Sequence, residues 1–128
     1  MKKVYLLALA GSIACASGAG GAGTPRVPTD RNMINQLELE SVAATNLYET
    51  IEKLRPNFLR SRGQASLTSS APEYPSVYVD GRPYGDISSL RSIITSQVGM
   101  VRYYDTTAAA AKFGAMSVAG IIDVTIRQ

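Results

Sequence analysis

The chain has 128 residues, enough for one domain with a single core, since domains commonly run to ~100–150 residues. It holds no His, no Trp and one Cys, which removes the commonest general base near neutral pH and excludes an intrachain disulfide or a Cys-rich zinc site. Lys2 and Lys3 sit in a targeting segment; without them 11 of the 13 basic residues face 10 acidic ones, and a net charge of +1 is too little for a phosphate-tracking surface.

Met1-Lys2-Lys3 is a positive n-region, and residues 4–14 form an apolar h-region. That run is too short to cross a ~30 Å hydrocarbon core, for which ~20 residues are needed, so it reads as an export signal. Cys15 follows directly, in Ser12-Ile13-Ala14-Cys15. The arrangement resembles a bacterial lipobox, in which the Cys becomes the lipid-bearing first residue, although Ser12 stands where Leu is usual. The alternative is cleavage after a small-x-small triplet such as Ala14-Cys15-Ala16, with the Cys discarded. Lipidation at Cys15 is favoured for two reasons: the sole Cys falls where that chemistry needs it, and a Gly/Ala-rich tether follows. Ala16 then resembles the outer-membrane sorting residue. The expected organisation is a signal peptide of lipoprotein type over residues 1–15, a Gly/Ala/Pro-rich linker over 16–30, and a folded domain over 31–128.

Residues 32–35 suit a short strand. Asn35 with Glu38 has capping-box form and predicts a short helix ending near Val42. Asn46 with Glu49 repeats the signal. Leu47, Ile51 and Leu54 then place one apolar stripe on a helix over 46–55, which Pro56 ends. Glu49 and Lys53 are an i, i+4 pair for its wet side, worth ~0.3 kcal/mol. Phe58 and Leu59 are expected to pack back beneath it. Arg60-Ser61-Arg62-Gly63 leads into residues 64–72, whose Ser, Thr and Ala read as a mobile loop.

Pro75-Ser76-Val77-Tyr78-Val79 predicts a strand, and Asp80-Gly81 a turn, since Asp bonds its own backbone and Gly tolerates positive φ. Asp80 has no His, Cys or second carboxylate beside it in the sequence to make it a catalytic group. Arg82-Pro83-Tyr84-Gly85 completes the connection, and Asp86 caps a helical segment over 87–93. Residues 98–104 read as a half-solvated strand, with Val101 and Tyr103 on one face and Met100, Arg102 and Tyr104 on the other. Thr106 is a cap for an alanine-rich helix over 107–113, which Gly114 stops. Residues 121–126 form the most β-rich run, read as a central strand, with Asp123 turned to solvent or a loop N–H. The fold class is α+β: one small mixed β-sheet with short helices.

The motifs over residues 32–127 resemble the plug domain of TonB-dependent outer-membrane receptors. The helix and proline in Asn46-Leu47-Tyr48-Glu49 through Leu54-Arg55-Pro56 carry part of the likeness. Val77-Tyr78-Val79-Asp80-Gly81, the strand over 98–104, Phe113-Gly114 and Gly120-Ile121-Ile122-Asp123-Val124-Thr125-Ile126-Arg127 carry the rest. Three departures restrict what the resemblance implies. Gln128 falls about where a receptor's barrel would start, no TonB box stands before Arg31, and Pro56-Asn57 replaces a proline-glycine. Channel gating is therefore not implied; the fold is. The function expected is a non-catalytic exported binding or interaction module on the cell-envelope side, with an outer-membrane barrel or another envelope protein as partner. Its place would be the outer membrane facing the periplasm, or the periplasm itself if the Cys is lost. The competing expectation is a structural, self-associating plug domain without a ligand. Arg60, Arg62, Arg82 and Tyr84, on the least regular stretches, are the candidate contacts. No phosphate loop, metal motif or nucleophile constellation is present, so no catalytic residue, metal or cofactor is expected.

Overall fold

The computed structural model describes residues 30–66, 69–115 and 117–128. The expectations for Cys15, the signal peptide and most of the linker lie outside them. The folded part is α+β, built on a five-stranded mixed sheet. Its strands are β1 (Met33–Ile34), β4 (Ser76–Val79), β5 (Arg82–Gly85), β6 (Val98–Tyr104) and β7 (Ile121–Ile126), in the spatial order β1-β6-β7-β4-β5. β7 lies in the middle, parallel to β4 and antiparallel to β6. A separate hairpin pairs β2 (Gln64–Ser66) with β3 (Ser69–Pro72).

Register decides which residues share a face. Val77, Ile122 and Tyr103 lie in one row across β4, β7 and β6, and Val79, Val124, Val101 and Ile34 in the next row of that face. Against these rows pack Leu39 of helix α1 (Gln36–Ser41), Leu47 and Ile51 of helix α2 (Leu47–Leu54), Phe58, Leu90 and Ile93. Leu47 and Ile51 are completely buried, each worth about 1.5–3 kcal/mol relative to exposure. The intervening row, Met33, Arg102, Asp123 and Tyr78, belongs to the opposite face. That face carries helix α3 (Thr106–Phe113), whose Phe113 ring lies 4.8 Å from Tyr78 and 5.4 Å from Tyr104.

The caps follow the sequence with one exception. Asn35 and Glu38 close a full capping box on α1, and Asn46 accepts from the Glu49 N–H on α2. For α3 the cap is Asp105, one residue earlier than expected, because its carboxylate reaches the Ala108 N–H at 2.8 Å. Thr106 donates instead to the Val118 carbonyl. Other local expectations are also corrected. Residues 64–66 and 69–72 are not loop but the paired strands β2 and β3, and 82–85 is not a plain connection but the outermost strand of the sheet. The helical segment capped by Asp86 is found as expected, as a 3-10 helix over Ile87–Ser92, with Asp86 accepting from the Ser88 and Ser89 N–H groups. Lys53 reaches the Ala43 carbonyl and is not paired with Glu49; backbone oxygen at the α1–α2 link offers it a fixed partner.

The start of α2 is sewn to the segment before β6. Leu47 N–H donates to the Ile93 carbonyl, and Thr95 N–H to the Thr45 carbonyl. Beneath them Thr50, fully buried, donates its hydroxyl to the Asn46 carbonyl, which leaves it to accept from the Thr95 hydroxyl at 2.8 Å. Thr50→Val should cost about 1–2 kcal/mol because it strands the Thr95 hydroxyl, and adding Thr95→Val should return most of that loss. Urea denaturation of the two single variants and the double variant measures the coupling; additive losses would mean that the two hydroxyls do not depend on each other.

Candidate functional site

The four candidate contact residues are all exposed, but the fold does not gather them into one cluster. Arg60 and Arg62 follow the 3-10 turn Pro56–Leu59. Arg62 lies over the ring of Tyr103, 4.7 Å from its centroid, and donates to the Asn57 carbonyl. Tyr103 is stacked in turn on Phe58, with centroids 5.3 Å apart, and its hydroxyl donates to the Ala119 carbonyl. The arginine therefore covers an aromatic that belongs to the core. Arg62 N–H also bonds to the Glu73 carbonyl, so the two residues flanking the β2–β3 hairpin hold its base shut.

Arg82 and Tyr84 lie on β5. Gly85 of β5 shares a row with Val77, Ile122 and Tyr103, so this edge stands three strand spacings, roughly 14 Å, from the strand that Arg62 covers. Tyr84 is half-exposed, with its hydroxyl 3.3 Å from that of Ser92. The result is two separate Arg-bearing stretches on one domain. One electrostatic feature unites them. Arg55, Arg102 and Arg127 are each ion-paired, to Glu38, Asp30 and Glu40, whereas Arg60, Arg62 and Arg82 have no carboxylate partner among the described residues.

A third group went unnoticed in the sequence. Lys112 of α3 donates to the Tyr104 hydroxyl at 2.5 Å and to the Asp123 carboxylate at 3.2 Å, and lies over the rings of Tyr104 and Phe113. The Tyr104 hydroxyl, and after it Asp123, hold the Lys112 pKa above its ordinary value, against a smaller opposing effect of burial. Of the two expectations for Asp123 the loop N–H holds: the residue is buried in the central strand, and its other oxygen accepts the Gly81 N–H of the β4–β5 turn. Asp80 has a positive φ of 48° and accepts the Ile126 N–H through its side chain, which confirms it as a turn residue. A carboxylate thus occupied by a lysine and a backbone donor has the geometry of a clamp between α3, β7 and the β4–β5 turn. Among the described residues no three His, Cys, Asp or Glu side chains are grouped to hold a metal ion, and no helix is long and apolar enough to cross a membrane.

No protein-family model matches the chain, and no curated protein matches it.

Proposed function

We propose that this chain is a non-catalytic binding module of the cell envelope, plug-like in its fold, which docks on an acidic surface of a partner protein. The reading places it outside the cytoplasm, held at the outer membrane by lipid on Cys15 or free in the periplasm if that Cys is removed. One observation carries it: among the described residues, Arg60, Arg62 and Arg82 lack the carboxylate partners that Arg55, Arg102 and Arg127 have. A guanidinium without a carboxylate partner keeps N–H groups for a partner's Asp or Glu. Tyr84 beside Arg82, and half-exposed Tyr74 beside the Arg62 hairpin, supply the residue types that anchor interfaces. The pairing of β4 with β7 gives further support, because it joins the two plug-like stretches, residues 77–81 and 120–127, in one piece of sheet.

Self-association through the β5 edge is disfavoured by β5 itself. The strand is four residues long, its pairing with β4 is broken by a register shift at Tyr84, and Pro83 has no N–H to give a second strand.

The test is a photo-crosslinking residue placed at Tyr84 or Arg62 in the native host, with Glu52 on the exposed side of α2 as control. The expected result is one envelope protein crosslinked from Tyr84 or Arg62 and not from Glu52, with the Tyr84 crosslink lost when Arg60, Arg62 and Arg82 are changed together to Gln. Equal labelling from all three positions would overturn the proposal.

A further inference from the structure

A cavity of about 360 Å³ opens between the end of α1, the α1–α2 link and the segment leading into β6, and it uses none of the residues assigned to docking. Leu39, Val42 and Ala44 form its apolar side, and Thr95, Ser96, Glu40 and Arg127 its polar side. The volume falls within the ~300–1,000 Å³ of small-molecule sites.

Its polar side is held in place. Arg127 N–H bonds to the Gln97 carbonyl, and Arg127 Nε donates to the Val98 carbonyl at 3.2 Å, so the guanidinium is fixed to the end of the β6–β7 ladder. One Nη2 hydrogen goes to Glu40 Oε1 at 2.5 Å. A guanidinium has five N–H donors, so three remain. Glu40 Oε1 also accepts from Gln36, while Glu40 Oε2 and the Ser96 hydroxyl have no partner among the described residues. These bonds hold Glu40 ionised: Gln36 first and Arg127 next keep its carboxyl below the usual range. The cavity therefore presents a fixed cation and a fixed anion in contact, each with unused hydrogen-bonding capacity, beside a small apolar wall.

The complement of such a pair is a ligand with the opposite charges equally close. In an α-amino acid, N–Cα and Cα–C bonds of ~1.5 Å put the ammonium nitrogen about 2.5 Å from the carboxyl carbon. A lone anion would meet Glu40 and a lone cation Arg127, so either is opposed by one of the two groups. We infer that this cavity binds a small zwitterion, an α-amino acid with an aliphatic side chain. Its carboxylate takes the free N–H groups of Arg127, its ammonium takes Glu40 Oε2 with Ser96, and its side chain covers Val42 and Ala44. The ion pair already there is partly exposed on both sides and worth little by itself, so sharing it with a ligand costs little. The inference does not depend on the docking surface, and the two can fail separately.

The experiment is a titration of the purified chain with L-leucine, followed by backbone amide NMR shifts. Saturable shifts are expected at Ala44, Ser96 and Arg127, with a Kd of about 0.01–1 mM. 4-Methylpentanoate, which lacks the ammonium, and 3-methylbutylamine, which lacks the carboxylate, should each bind at least ~10-fold more weakly. Arg127→Gln and Glu40→Gln should weaken leucine by a similar factor while the spectrum outside the cavity stays unchanged. Ala44→Leu keeps the ion pair and fills the apolar side, and should abolish the shifts. Three results would overturn the proposal: no saturable shift at these positions, equal binding of leucine and either singly charged analogue, or undiminished binding by Ala44→Leu.

Discussion

Gly120→Ala is expected to remove roughly 3–5 kcal/mol of stability, the greater part of the margin of a domain this size. Gly120 ends the turn before β7 at a φ of 89°, a conformation that already penalises any β-carbon. Space makes it worse. A β-carbon there would fall 2.5 Å from the Tyr103 hydroxyl oxygen and closer still to the Tyr104 carbonyl oxygen. The carbonyl is backbone of a paired strand and cannot swing away. Tyr103 is stacked on Phe58, covered by Arg62 and bonded to the Ala119 carbonyl, so it cannot move without disturbing the core. The Gly120 peptide is itself bonded on both sides: its N–H donates to the Ser117 carbonyl, and its carbonyl accepts from the Ser117 hydroxyl and the Ser76 N–H. Gly114→Ala is the control. It also has a positive φ, 65°, but nothing within 4 Å of its β-carbon position, and it should cost only about 1 kcal/mol. Thermal melts of both variants separate the conformational penalty from the steric one. With roughly 4–8 °C lost per kcal/mol, Gly120→Ala should melt at least ~12 °C below the parent and Gly114→Ala within ~8 °C of it. Equal melting points would refute the steric account.

How far the sequence foretells this architecture depends on where the deciding physics is local. Asn35, Asn46 and Asp86 cap the helices their spacing predicts, because a cap is settled within three residues. The central place of residues 121–126 shows in their apolar run, since a strand covered on both faces has little room for alternation. β5 was not legible. Arg82-Pro83-Tyr84-Gly85 has none of the β-branched residues that mark a strand, and only its pairing with Val77–Val79 makes it one. The β2–β3 hairpin hides for a related reason: its Ser, Thr and Ala composition gives no alternation to read. Of the site, the exposure of Arg60, Arg62, Arg82 and Tyr84 was foreseeable, but their separation was not, since it follows from β5 lying at the far edge. The pairing of Arg127 with Glu40 spans almost the whole domain in sequence and has no local signal at all.

Asp123 is the other residue whose loss should be felt strongly, and its replacement also decides what the Lys112 group is for. Asp123→Ala should destabilise the chain by about 2–3 kcal/mol, because the Gly81 N–H and Lys112 lose a buried acceptor at the centre of the sheet. Lys112→Met should cost less, about 1 kcal/mol, since nearly half of the lysine side chain is exposed and water can replace part of what it gains. If the group instead served a ligand at the expense of the fold, removing its charges would leave stability unchanged or raise it. The pH dependence is a second readout. The Lys112 pKa is raised in the folded chain, chiefly by the Tyr104 hydroxyl, so its contribution is complete below the unfolded value of ~10.4 and is lost as pH rises through the folded value. Tyr103 acts in the same direction, because burial raises its pKa and its contribution fades above ~10. Denaturant midpoints should therefore hold steady up to pH ~10 and fall as pH rises above it, with a smaller fall in Lys112→Met, where only the Tyr103 part remains. An identical fall in parent and variant would show that Lys112 is not coupled to folding, and the clamp between α3 and β7 would then have to rest on the packing of Phe113 against Tyr78 and Tyr104.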